Sequence, residues 1–307
     1  MSWTAFIGAL ETGFVYGLVA LGVYLSFRVL DFPDLTVDGS FALGGAVAAV
    51  AIVQGMNPYA ATAIAAVAGG CAGLVTALLN VQLGILNLLA SILTMIALYS
   101  INLRVMGRPN VPLLNQDTIF TPFEQLSWLP DRWIELIVLA VVAIAAKCCI
   151  DWFLASEIGL AMRATGANTT MARAQGISTR GMILLGMSLS NGLVGLGGAL
   201  FAQTSSFADV SVGGGTIVFG LAAVIVGESL LPGRSVWVAT LGSLLGSIVY
   251  RLVVALALNV DGLGLRSQDL NLITAVLVTV ALVLPNARNP FQRLLKWGAS
   301  VTGRVPQ

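Results

Sequence analysis

The chain has 307 residues, of which 57% are hydrophobic and 9% charged, with a formal net charge of +1 and a mean hydropathy of +0.93. Soluble globular chains carry roughly 25% charged residues, so a water-soluble domain is excluded, and the near-neutral balance gives no footing to a nucleic-acid partner. What remains is an all-α polytopic membrane protein, built from apolar runs of about 20 residues that match a hydrocarbon core of about 30 Å.

Taken in chain order, hydrophobic segments occur near 5–27, 37–55, 58–83, 86–103, 133–153, 181–203, 217–231, 236–258 and 270–285. That predicts about nine transmembrane helices, within a range of about eight to ten. The N-terminus lacks a basic leader region and a small-residue cleavage site, so the first segment is expected to be retained as a span. The segment 217–231 is short and reads as a half-helix or re-entrant element, acceptable where protein rather than lipid surrounds it. Residues 1–285 are expected to form one transmembrane domain and 286–307 a basic cytoplasmic tail. The stretch 104–132 is the longest non-helical one and carries Pro109, Pro112, Pro122 and Pro130. It reads as an external loop, either a connector or a docking surface. Cys71, Cys148 and Cys149 lie in apolar runs, read as small core residues and suggest no disulfide framework.

Basic residues orient the chain. Arg28, Lys147, Arg163, Arg173, Arg180, Arg234, Arg288, Arg293, Lys296 and Arg304 fall on one side, taken as cytoplasmic, against Arg104, Arg108, Arg132, Arg251 and Arg266 outside. Small-residue pairs Gly13/Gly17, Gly69/Gly73 and Gly242/Gly246 predict close helix packing, as does the run Gly192, Gly195, Gly197, Gly198.

Chemistry-bearing groups are scarce. The chain has no histidine, and Glu11, Asp209 and Glu228 are too isolated for a proton relay. No GxxxxGK[ST] phosphate loop, metal cluster or catalytic pair occurs, so the chain itself is not expected to be an enzyme. Transport by such a chain requires energy from a separate motor. An ion-coupled secondary transporter is the alternative, although ion-coupling residues in the spans are wanting.

One polar interruption stands out, Glu157–Ser178 (EIGLAMRATGANTTMARAQGIS), inside a loop 157–180 between two spans. Gly166 reads as a turn residue. Asn168 is placed to cap a short helix Thr169–Gln175, with Gly176 as its C′ residue and Ile177 folding back onto it. Met171, Ala172 and Ala174 would present a small adaptable surface to a groove in a partner. Near the second span, Asp31, Asp34 and Asp38 read as helix-start carboxylates or as salt-bridge partners for Arg28 and Arg234. Glu228, Pro232, Gly233 and Arg234 read as a tight turn.

The pattern Gly159, Ala161, Arg163, Ala164, Gly166, Asn168, Ala172, Gly176, Ile177 resembles the cytoplasmic coupling loop of ABC importer permeases of the branched-chain amino acid and ribose type. LDFPDLTVDGSFALGGA (30–46) is similar to the second span of that family, AAVIVGESLLPGRSVWVATLGSLLGSIV (222–249) to its Gly/Pro turn and following helix, and SQDLNLITAVLVTVALVLP to its last span. The DFPDLTVDGS and VGESLLPGR variants look closer to a branch linked to tryptophan or other aromatic amino acids. The resemblance implies that Gly166, Asn168, Met171, Ala172, Gly176 and Ile177 lie on or around a coupling helix seated in an ATPase subunit. It implies no cofactor on this chain, ATP and Mg bound by the partner ATPase, an extracytoplasmic solute-binding protein, a second permease copy as a homodimer, and a bacterial inner-membrane location. The solute expected from the branch resemblance is an amino acid, aromatic or branched-chain, with a sugar or nucleoside as the alternative. Thr94, Tyr99, Asn102, Ser188, Asn191, Asn271 and Thr274 are the polar candidates for lining its pathway, with interhelical hydrogen bonding as their commoner role.

Overall fold

A computed structural model of the chain describes residues 3–124, 131–233, 235–258, 276 and 279. Apart from Val276 and Thr279, the predicted span 270–285 lies outside the described residues, as do Asn271, Thr274, Arg234, Arg266 and the basic tail. Helix α1 runs Trp3–Val23 and continues as a π-helical stretch, Tyr24–Val29. Then follow α2 (Thr36–Val53), α3 (Pro58–Val81), α4 (Asn87–Met106), β1 (Asn110–Pro112), α5 (Thr121–Glu124) and α6 (Asp131–Ala155). The chain continues with α7 (Glu157–Ala167), α8 (Thr169–Ala174), α9 (Thr179–Ser205), β2 (Phe207–Asp209), α10 (Thr216–Leu230) and α11 (Val236–Leu258). Among the described residues, seven helices are long and apolar enough to cross a membrane, and α10 is a shorter apolar one. Eight of the nine predicted segments are thus helices, and the ninth falls outside the described residues but for those two positions.

Helix α9 is the central post, packed by α2, α3 and α1. Its glycines decide how close they come. Added to Gly195, a Cβ would lie 2.8 Å from the Ala65 carbonyl oxygen and 3.0 Å from Gly69 Cα; at Gly198 it would run into the Phe41 carbonyl. Backbone therefore meets backbone along α2/α9 and α3/α9, the geometry that small-residue motifs provide. Gly13 and Gly17 set the same approach of α1 to Ile248, Leu244 and Ser247 on α11, and Gly242 and Gly246 that of α11 to α10.

The chain does not simply cross and return. Between α1 and α2 it folds back into the bundle, so that Asp34 is fully buried. One Asp34 oxygen accepts from Thr36 N at 2.8 Å and the other from Asn191 Nδ2 at 2.7 Å. Asn191 Oδ1 accepts from Ser40 Oγ at 2.7 Å, and Thr36 Oγ1 meets Thr76 Oγ1 at 2.7 Å. Asn191 stands twelve residues beyond Thr179, which at helical rise places this polar knot about 18 Å along α9.

On the opposite end of α9, β1 and β2 form an antiparallel pair, with Asn110 opposite Asp209 and Pro112 opposite Phe207. The stretch expected to be non-helical thus contains a strand and a short helix. The chain then runs through a series of turns over Val210–Gly215 into the bundle, where α10 begins. With 15 residues, α10 is about 22 Å long, too short for the whole hydrocarbon core.

Several side chains sit elsewhere than expected. Cys71, Cys148 and Cys149 are exposed, not in the core, because an apolar run looks alike whether it faces protein or lipid. Lys147 is buried within α6, paired with Asp151 at 2.5 Å and lying 3.7 Å over the Trp237 ring. Arg251, counted with the outside residues, lies within α11 inside the predicted segment 236–258, its guanidinium stacked 3.9 Å from the Tyr16 ring centre and 4.6 Å from that of Phe219.

Candidate functional site: a polar loop and a cleft joined by a half-helix

At the end of α6, Ser156 accepts from Gly159 N at 3.3 Å and starts α7. Asn168 breaks the helix with an extended backbone and caps α8, its Oδ1 accepting from Met171 N at 2.9 Å. Gly176 has φ +82°, and Ile177 N donates to the Ala172 carbonyl at 3.0 Å. The cap, the short helix and the C′ glycine thus stand where the sequence puts them, with the helix ending one residue earlier.

Two details differ. Gly166 makes no turn; it lies in the last turn of α7 against the Val29 and Leu30 backbone, where any Cβ would collide. Ala172 is 3% exposed and packs inward, whereas Met171 is 63% exposed. The outer surface of α8 is therefore Thr169, Thr170, Met171, Arg173 and Ala174, and Ala172 cannot present itself to a partner.

Beneath this loop lies a polar cavity of about 530 Å³ lined by Arg28, Asp31, Arg163, Gly166 and Glu228 among others. Arg28 pairs with Glu228 in a two-pronged ion pair, not with Asp31, Asp34 or Asp38 as the sequence suggested. The reason is geometric: the fold-back carries Asp34 and Asp38 into the bundle, away from Arg28. The pair ties the end of α1, on which Gly166 rests, to the C-terminal end of α10.

The N-terminal end of α10 is held just as firmly. Asp38 accepts from Gly215 N at 3.0 Å and Ile217 N at 2.7 Å, satisfying amides that a helix start leaves open inside the bundle. Asp38 therefore caps a helix far along the chain, beyond its role at the start of α2. Beside it opens a cleft of about 470 Å³ between α2, α4 and the re-entrant stretch, lined by Asp38, Tyr99, Ser100, Asn102, Ser211 and Gly214 with apolar neighbours. Asp209 sits at its outer end. Partial burial works to raise its carboxyl, but bonds from Ser211 Oγ, Ser211 N and Asn110 Nδ2 outweigh that and hold it below the usual carboxylate range.

The structure thus brings Tyr99 and Asn102 together. Thr94 bonds back to the Ala90 carbonyl at 3.0 Å and lines a separate apolar cleft between α3 and α4. Ser188 lies at the α3/α9 contact beside Gly70, and Asn191 is fully buried in the polar knot. Sequence reasoning missed Asp38 as a cleft residue and the glycine run Gly213–Gly215. That run before an unusually short apolar segment was the available signal for a re-entrant start.

Compared with known proteins, residues 6–284 match the family of the branched-chain amino acid transport system permease component. The chain belongs to this permease family. It is a transport subunit of the ATP-binding-cassette type and a multi-pass membrane protein, which in bacteria resides in the inner membrane. It is 36% identical over 281 residues to a tyrosine transport system permease protein of Clostridioides difficile, covering 91% of each chain. It is also 25% identical to the ribose import permease of Escherichia coli over 282 residues, covering 89% of this chain and 83% of that one. No solved structure matches. Family membership sets aside the ion-coupled secondary transporter.

Proposed function

We propose that this permease imports an amino acid, with an aromatic one first in line, and that α7–α8 transmits force from an ATPase subunit bound on the cytoplasmic side. The observation that carries the solute class is the 36% identity, over nearly the full chain, to a permease named for tyrosine. ATP and Mg are bound by the partner, and an extracytoplasmic binding protein delivers the solute on the side of β1 and β2. Closure of the ATPase pushes on α8 through exposed Met171. Gly166 passes the motion to Val29, and the Arg28–Glu228 pair passes it to α10.

A second copy of the permease completes the pathway. Ser211 and Gly214 are exposed in a stretch of irregular backbone, and such backbone is tolerated at membrane depth only against protein or a water-filled space. A symmetric pair supplies both.

The test is to reconstitute the permease with its ATPase and binding protein in proteoliposomes and compare wild type with Met171→Glu. Expected are ATP-dependent uptake of tyrosine by wild type and loss of ATPase co-elution in the variant, with the permease itself intact by size exclusion. Full retention of the ATPase by Met171→Glu would refute the docking role of α8. Uptake of ribose without tyrosine would refute the solute class.

A further inference from the structure

The cleft holds an anomaly that packing alone does not explain. Asn102 is 1% exposed, its Nδ2 donates to the Gly39 carbonyl at 3.4 Å, and its Oδ1 has no hydrogen-bond partner among the described residues. Buried acceptors without partners are rare and costly, so one carried by a residue that lines a cleft calls for a visiting donor. Donation to Gly39 fixes which end of the carboxamide is the acceptor. The Asp38 carboxyl, whose two oxygens accept from amides at the start of α10, belongs to the same lining, beside the hydroxyls of Tyr99, Ser100 and Ser211. The Asn102 carboxamide oxygen and the Asp38 carboxyl together suit a ligand group that brings several hydrogens of its own.

The rest of the cleft narrows the choice. Tyr99 is half exposed to it, and Met95, Ile96, Ala42 and Val210 complete an apolar side. Its volume of about 470 Å³ is within the range that accommodates small organic ligands. A metal ion is a poor fit, since no group of three or more metal-binding side chains occurs among the described residues.

We propose that this cleft is a solute station inside the permease, where the primary ammonium group of an amino acid is held by Asn102 Oδ1 and the Asp38 carboxylate while its apolar side chain lies against Tyr99. The station rests on the amino-acid reading given above and deepens it. The permease would then contribute selectivity of its own, favouring solutes with an amino group over neutral sugars. Because Asp38 also caps α10, occupation of the station and the position of the half-helix are linked through one carboxylate.

The experiment uses the full importer in proteoliposomes, with labelled tyrosine and labelled ribose as probes, and the variants Asn102→Leu, Asn102→Asp and Tyr99→Ala. Wild type is expected to take up tyrosine and not ribose. Asn102→Leu should lower the initial rate of tyrosine uptake about tenfold, as expected for losing a bond to a charged group. Asn102→Asp loses the donor to Gly39 but keeps an acceptor for the ammonium, so it should retain several-fold more uptake than the leucine variant. A purely structural role predicts the reverse, since the aspartate faces the Gly39 carbonyl with no proton to give. If Asn102→Leu does not assemble with the ATPase, exposed Tyr99→Ala carries the test, with a several-fold loss expected. Tyrosine uptake unchanged in both Asn102→Leu and Tyr99→Ala would overturn the station and leave the permease reading intact. Uptake of ribose alone by wild type would overturn both.

Discussion

Replacing Asn191 with leucine separates a structural polar residue from one that touches solute. Its carboxamide joins α9 to α2 and to the fold-back, with Nδ2 on Asp34 and Oδ1 on Ser40, both at 2.7 Å. Leucine fills a similar volume, so the loss is of bonds and not of packing. Interhelical hydrogen bonds in membranes average about 0.6 kcal/mol, because separated helices find other partners. Two neutral bonds would therefore be worth about 1 kcal/mol. Asp34 raises the figure, since a fully buried acceptor deprived of its donor costs about 1–3 kcal/mol in desolvation. The expected destabilisation is about 3 kcal/mol, and at about 2 °C per kcal/mol for a chain of this size the melting temperature falls by about 6 °C. Thermal unfolding in detergent measures it, with Ser40→Ala and the double variant closing a cycle in which the two changes couple. A drop of about 1 °C, or strict additivity with Ser40→Ala, would sink the argument that this contact satisfies buried Asp34.

Three further outcomes are expected. Lys147→Met leaves Asp151 buried without its cation and should cost about 3–5 kcal/mol in thermal stability, largely restored by adding Asp151→Leu; no rescue would mean that the Trp237 contact matters more. Gly176→Val should destabilise the loop by about 1–3 kcal/mol through backbone strain alone, since the space around it is open; Gly176→Asn, which tolerates a positive φ, should cost less, and protease cutting within 157–180 would read the difference. Ala172→Glu places a carboxylate in a packed position and should lower permease stability as well as ATPase binding, whereas Met171→Glu should lower binding only; equal stability of the two variants would contradict the inward packing of Ala172.

The spans were legible because about 20 apolar residues in a row allow little else, and the glycine pairs were legible because their spacing repeats along a helix face. Asn168, Gly176 and Ile177 could be read locally, since a cap and its C′ glycine involve neighbours in the chain. The partners that organise the site are not neighbours. Asp38 bonds to Gly215 and Ile217, Arg28 to Glu228, and β1 to a strand nearly a hundred residues away. Nothing in a local pattern encodes such pairings. Burial was illegible for a different reason. In water, polarity marks the outside of a helix, but lipid is as apolar as a core, so Val67 and Trp152 at the surface look like Val19 and Leu21 inside. Ala172 was misread because a six-residue helix is too short to show which side faces in.

The glycine contacts along α9 also divide the molecule mechanically. Where Gly69, Gly195 and Gly198 bring main chains together, there are no long side chains to change rotamer and absorb a shift. α2, α3 and α9 are bound to travel as one stator. The half-helix α10 meets α2 and the end of α1 through polar ties, a carboxylate at one end and an ion pair at the other, while its own main-chain contact is with α11 through Gly227 and Gly242. A shift of α10 against that frame has to break these polar ties, so a crosslink within the frame should leave transport running where one across the α10 ends would stop it.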